Sequence, residues 1–257
     1  MKLTEDQWAF IKPMLPKEKV RKDKRGRPWR EPRDVLEGSL WILKTGARWK
    51  DLPERYPPYQ TCHRRYQNWV KSGVFKKILL RLAQHLQEKG KINLAETFID
   101  ATFVDAKKRG PQVGKTKRGK GTKIMAIVAD SSLPIAVSIA SASPAEITLV
   151  ESTIRQRHCK NLPERIIGDK AYDSDPHDEH LRRRFGIERI APHKRNRTRK
   201  PTQDGRALRR YKRRWQVERF FSWLQSFRRI KTRYEYNDHN YLGMVQLASI
   251  TIMLRYL

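Results

Sequence analysis

Glu96–Asp105 reads ETFIDATFVD, and this stretch divides the chain into two kinds of sequence. Before it, apolar residues recur at helical spacing; from it onward, short apolar and β-branched runs bounded by turn residues take over. Asp100 interrupts the apolar run, where an unpaired charge is costly to bury. It is expected to face a cleft.

Upstream, Leu3, Trp8, Phe10 and Ile11 mark a short amphipathic helix within residues 1–16, stopped by Pro13 and Pro16. Val35, Leu36, Leu40, Trp41 and Leu43 predict a second helix over Arg33–Lys44, ended by Thr45-Gly46. A third runs over Tyr59–Lys71, capped near Thr61, with Tyr66 and Trp69 inward and His63, Arg64, Arg65 and Gln67 outward. Phe75–Lys89 adds a fourth, with Ile78, Leu79, Leu82 and Leu86 as its buried stripe. Residues 1–90 therefore read as a small helical domain. The basic face bearing Arg64 and Arg65 suits a recognition helix in a DNA groove, although an ordinary charged surface gives the same pattern. Between the first two helices, Lys17–Arg33 carries nine basic and three acidic residues and reads as a solvated linker or a phosphate-contacting arm.

Downstream, Thr122–Asp130 and Leu133–Ala140 read as two more strands joined by a turn at Ser131-Ser132, making a hairpin-rich sheet with the first. The intervening Lys107–Lys123 has eight basic residues, no acidic ones and four glycines, and reads as a flexible loop that orders on phosphate, with Lys117 and Arg118 among its contacts. A helix over Ala145–Cys159, a strand Arg165–Gly168, a helix Asp178–Phe185, a strand Ile187–Ala191 and a long helix from Thr202 or Asp204 past Arg229 complete the order. Residues 91–257 form a mixed α/β unit, a meander followed by crossovers.

The formal net charge of +30 over 257 residues exceeds what solubility requires and points to a polyanion, nucleic acid first. No apolar run approaches the ~20 residues of a spanning helix. Met244–Leu254 reads as core, and MKLTEDQW lacks the apolar segment of a signal peptide, so the chain is expected in the cytoplasm and off the membrane. Cys62 and Cys159 support neither a disulfide framework nor a zinc ribbon. His177 and His180 stand three apart but read as solvated helix residues.

In Tyr211–Gln225, YKRRWQVERFFSWLQ, one acid stands inside the most basic part of the chain. On a helix, Tyr211, Arg214, Glu218 and Gln225 fall within an arc of about 60°, opposite Val217, Phe220, Phe221 and Leu224. Asp169 follows the apolar strand 165–168, where open α/β sheets place ligands. Asp100, Asp169 and Glu218 would together make a hard-oxygen site for Mg²⁺, and two such ions could serve both oxygens of a phosphodiester displacement. Asp105, Asp130, Asp173 and Asp175 compete as ordinary caps and turn residues. Trp215 lies about 60° from Glu218 and reads as core, with base stacking as the other role. Residues 194–214 hold eleven Lys or Arg and one Asp, so Lys194 and Arg195 begin a phosphate track that His193 adjoins.

The chain resembles insertion-sequence transposases of the IS5 group, within the IS4/IS5 class of DDE transposases. The class signature spaces Tyr, Arg, Glu and Lys as Tyr211, Arg214, Glu218 and Gln225 are spaced, with glutamine replacing the final lysine. TFIDATFVDA and IIGDKAYDSD are similar to its two aspartate motifs. The resemblance implies an RNase H-like catalytic core, the acidic triad Asp100, Asp169 and Glu218, and Mg²⁺ with Mn²⁺ as substitute. It further implies a helix-turn-helix-like domain over 1–90 that binds terminal inverted repeats, strand transfer into target DNA, and a homodimer on double-stranded DNA. An RNase H-like nuclease or resolvase shares the acids; a non-catalytic nucleic-acid-binding protein explains the charge but not Asp100.

Overall fold

The computed structural model describes residues 2–17, 29–203 and 205–257. Most of the basic arm expected at Lys17–Arg33 lies outside the described residues, as does Asp204. The N-terminal part is helical: α1 (Glu5–Ile11), α2 (Pro32–Thr45), α3 (Tyr59–Lys71) and α4 (Val74–Glu88). Thr4 and Gln7 close α1 reciprocally as a capping box. α2 stops at Gly46, whose φ of 70° needs no Cβ and lets its N–H reach Ile42. α3 spans the expected residues, but its first turn is set by Pro58 and not by a Thr61 cap.

The sheet contains β1 (Thr97–Ala106), β2 (Gly114–Thr116), β3 (Gly119–Ala129), β4 (Pro134–Ser141), β5 (Arg165–Ile167), β6 (Glu188–Ile190) and β7 (Thr232–Arg233). Its body runs β4-β3-β1-β5-β6, with β1, β3 and β4 antiparallel and β5 and β6 parallel to β1. Two shorter helices, α5 (Val150–Arg155) and α6 (Asp175–Phe185), make the crossovers. Because side chains alternate along strands, the register puts Asp100 and Thr102 on one face and Ala101, Met125 and Ser138 on the other. α5 covers the second face, where Thr153 and Ser138 share a 2.8 Å hydrogen bond.

Two expectations need correction. The stretch 107–123 is a β-hairpin: Thr116 pairs with Gly119 across the two-residue turn Lys117-Arg118, and the Thr116 hydroxyl accepts from the Arg118 amide. Its base is held by the buried Arg233, whose guanidinium donates to the carbonyls of Pro111 and Gln112 and to the Thr122 hydroxyl. The long C-terminal helix is broken into α7 (Gly205–Arg209), a 3-10 turn (Arg210–Arg213), α8 (Trp215–Gln225) and α9 (Arg228–Lys231). Glu96 draws Arg210 and Arg213 toward β1 at the break. α8 then lies on the sheet face that carries Asp100, burying Val217, Phe220, Phe221 and Leu224 as the apolar spacing required.

α10 (Asp238–Met253) is almost wholly buried and packs against α2, α3, α4, α8 and β4. It confirms the core helix read from Met244–Leu254. No helix of the described residues is long and apolar enough to cross a membrane. One hydrophobic core thus runs from Leu3 to Leu254. Gly243 is where α10 meets α3: a Cβ there would stand 2.4 Å from Val70 and 2.7 Å from the Tyr66 hydroxyl. Tyr66 is itself held by a 2.6 Å bond to the Asn240 carbonyl, so it cannot readily move away. Gly243→Ala should therefore lower stability by about 1–3 kcal/mol, measured by urea denaturation, with no such loss for Ala at exposed Gly205, where a Cβ meets nothing.

Candidate active site

Asp100 stands in the middle of β1, opposite Ala126 of β3. One carboxylate oxygen accepts from the Ala101 amide at 2.8 Å and the other from Arg214 Nη1 at 2.7 Å. Burial pushes its carboxyl up to about 6; the Ala101 amide and Arg214 oppose the shift, and Glu146 and Asp169 add to it. Asp100 thus meets a cation, the Arg214 guanidinium, on the face of the sheet that α8 covers.

Arg214 reaches further. Its Nη2 donates to Glu218 Oε1 at 2.7 Å, so one guanidinium forks between the first and third acids. Glu218 is the more exposed of the two, one turn along α8. Tyr211 lies beneath the guanidinium, its ring centroid 5.9 Å away. Gln225, at the far end of α8, donates to Thr102 Oγ1 at 3.0 Å and pins the helix to β1 two residues beyond Asp100.

Asp169 follows β5 and caps a 3-10 turn (Lys170–Tyr172), accepting from the Ala171 amide at 2.8 Å. It is near enough to Asp100 to act on its titration. As placed, no three His, Cys, Asp or Glu side chains among the described residues stand close enough to hold a metal ion. The donor chemistry nonetheless fits one. Two hard-oxygen acids already converge on a positive group, and the half-buried Asp100 gains from any cation that compensates its desolvation.

The remaining expected contacts divide. Lys117 and Arg118 at the hairpin tip, Lys194 and Arg195 after β6, and Arg64 on α3 are exposed. Arg65 is not: it is buried, donates to the Arg30 carbonyl at 2.6 Å, and lies against Trp29 and Trp69. Its place three residues after Cys62 and one before Tyr66 turns it inward with them. Trp215 departs the other way, being 43% exposed instead of core, with the Arg219 guanidinium 4.2 Å above its ring. His193 does not stand free on the basic segment. It bonds Asp173 at 2.9 Å while Arg197 and the Lys194 amide reach the same carboxylate, and together they outweigh burial and hold Asp173 below the ordinary carboxylate range.

Sequence reasoning missed three acids: Asp173 as the clasp of the basic segment, Glu96 as the anchor of Arg210 and Arg213, and Glu146 beside Tyr172. Glu96 carried a signal, since it opens the ETFIDATFVD run at an even spacing from Asp100.

The raised Asp100 carboxyl has a sign that stability measurements can read. The folded state holds the proton more tightly than the unfolded chain, so this residue favours folding most at low pH and loses that contribution as pH rises from about 4 through 6. Asp100→Asn, which leaves Arg214 paired with Glu218, should flatten that loss and add about 2 kcal/mol at pH 7.5 relative to wild type. Denaturation across pH 4–7.5 checks it; an unchanged slope would show that Asp100 titrates normally.

Comparison with known proteins shows the family. Residues 3–79 match the model of a putative transposase of the IS4/5 family, and residues 95–253 match the transposase DDE domain. The uncharacterized protein y4sN of Sinorhizobium fredii is 35% identical over 118 residues, 46% of this chain and 87% of that protein. A 16.2 kDa protein of insertion element IS402 from Burkholderia cepacia is 33% identical over 119 residues, 44% of this chain and 80% of its own. The putative IS402 transposase of the same organism is 31% identical over 145 residues, 52% of this chain and 64% of that one. In fold, 97% of the chain superposes on 70% of a piggyBac transposase, solved as a synaptic complex with hairpin DNA, at a TM-score of 0.57 and 12% identity. The expected RNase H-like mixed sheet with N-terminal helices stands. With its DDE domain covering more than half of its residues, the chain belongs to the DDE transposases of the IS4/5 family.

Proposed function

We propose that this transposase binds the terminal inverted repeats of an insertion sequence and carries out Mg²⁺-dependent strand cleavage followed by strand transfer into target DNA. The observation that carries the proposal is the fork of Arg214 between Asp100 and Glu218, beside the Asp169 turn. Asp100, Asp169 and Glu218 are the acids that would hold Mg²⁺ or Mn²⁺; two bound ions would supply charge to the attacking and leaving oxygens of the phosphodiester.

The chain's own groups do the positioning. Arg214 offers a planar fork to a phosphate in place of its carboxylate partners. Tyr211 supports that guanidinium from below. Trp215, exposed with Arg219 over one face, offers a stacking surface to an unpaired base. Lys194, Arg195, Lys117 and Arg118 track the phosphate backbone, while Gln225 contributes by fixing α8 on β1. Residues 1–90 recognise the repeat ends through α3, with Arg64 toward DNA and Arg65 holding Trp29 and Arg30 in place. Two ends held together require a homodimer on DNA, working on the nucleoid in the cytoplasm.

A donor fragment with the repeats that flank the gene, a target plasmid and Mg²⁺ test this proposal. Asp100→Ala, Asp169→Ala and Glu218→Ala should each lower strand transfer at least about 100-fold, while gel-shift binding of the ends persists. Transfer products that survive in any of the three would remove that acid from the triad. Cleavage without joining would favour a nuclease instead.

A further inference from the structure

The basic groups of this chain differ in what they meet. Arg197, Arg210, Arg213 and Arg214 each reach a carboxylate, whereas Lys115 and Lys120 have no acidic partner among the described residues. These two lysines lie directly opposite each other in the β2–β3 hairpin, and both are exposed. Facing residues of a hairpin hold their Cβ atoms about 4.5–5.5 Å apart, and like charges so placed repel. An anion between the two ammonium groups replaces that repulsion with attraction to both.

Register fixes where the pair faces. β1 and β3 pair without a shift from Thr97 and Ala129 to Asp105 and Gly121, with Asp100 opposite Ala126. Alternate residues of β3 from Ala126, through Ile124 and Thr122, lead to Lys120, which therefore lies on the sheet face that carries Asp100, and Lys115 lies there with it. Asp105 and Lys123 point to the other face by the same alternation, and Lys123 meets Glu146 there. The six residues from Ala126 to Lys120 put the pair about 20 Å along the strand from Asp100. β5 runs parallel to β1, so the hairpin leaves the sheet at the end where Asp169 follows β5.

The hairpin holds this position without DNA. Beyond the Arg233 contacts at its base, Ser143 Oγ donates to the Lys115 carbonyl at 3.2 Å, and the Ser141 amide donates to Gln112 Oε1 at 2.9 Å. A surface ordered in advance binds with little further loss of chain entropy. We propose that Lys115 and Lys120 clamp one backbone phosphate of the DNA strand whose scissile phosphate lies at Asp100. The clamp rests on the DNA reaction proposed above and adds a spacing to it. Phosphates advance about 3.4 Å per step along a duplex, so one lying along β3 presents to the lysines a phosphate about six steps from the one that is cut.

Binding of the full-length protein to an end-bearing duplex tests this, with a single neutral methylphosphonate linkage walked outward from the scissile position on both sides. Wild-type affinity should fall about threefold or more when the neutral linkage lies about four to eight steps away. The Lys115→Gln, Lys120→Gln double variant should bind more weakly, show no further loss in that window, and lower the slope of log affinity against log salt by about one. A window inside the repeat assigns the phosphate to the transposon end, one outside it to the flanking DNA, and either supports the clamp. Lys120→Glu gives Lys115 an acid, so it should raise the thermal midpoint of the DNA-free protein at low salt while weakening DNA binding about tenfold or more. A pair that only shapes the hairpin would move both in the same direction. If the double variant binds as wild type does, or keeps the wild-type sensitivity to the neutral linkage, the inference is overturned and the DNA reaction stands. If wild-type protein binds no end-bearing duplex, the proposed function fails and the clamp with it.

Discussion

The active-site architecture depends on the guanidinium of Arg214, shared between a strand and a helix. Asp100 is fixed in the sheet, and Glu218 rides on α8; one side chain bonds both at 2.7 Å. A half-buried carboxylate in the middle of β1 carries a desolvation cost, and the fork compensates part of it. The same face of β1 fixes α8 elsewhere. Glu96 takes Arg210 and Arg213 before the helix, and Thr102 takes Gln225 at its end. Asp100 and Thr102 lie on one face of β1 and Glu96 immediately precedes the strand, so β1 and its approach locate three points of the C-terminal segment.

This arrangement explains why the helix breaks where it does. A continuous helix from residue 205 to 229 would carry the 210–213 arginines past β1. The 3-10 turn instead lets Arg210 and Arg213 meet Glu96, while α8 restarts at Trp215 with its apolar stripe on the sheet. Charged hydrogen bonds to Glu96 outweigh a modest loss of helical geometry over four residues. Trp215, the first residue after the break, is left outside.

Much of this was legible. The four N-terminal helices and the alternation around Asp100 follow from periodicity, and the strand order follows from turn residues between short apolar runs. The basic stretches were harder to read, because composition records charge but not partners. Arg233 looks like any other arginine, yet it is buried and holds the 107–123 hairpin by its base; Arg65 is buried beside two tryptophans. Such residues are fixed by carbonyls distant in sequence, and no local pattern predicts them. The same holds for Glu146, whose neighbours Lys123 and Tyr172 stand 23 and 26 residues away. By contrast, Gln225 was singled out by its spacing, and only its partner, Thr102, needed the structure.

The change of grammar at residue 90 marks a change of element type and not a break in packing. Tyr66 of α3 bonds the Asn240 carbonyl, Arg229 beyond α8 bonds the Ala47 carbonyl after α2, and Gln7 of α1 bonds the Leu254 carbonyl. α10 lies between these contacts and is buried on nearly every side. α3 and α8 therefore pack on the same helix, α10, and share its close-packed interior. α8 carries Glu218 and begins immediately after Arg214. The helix that carries the fork between the first and third acids is thus seated in the same core as the N-terminal helices.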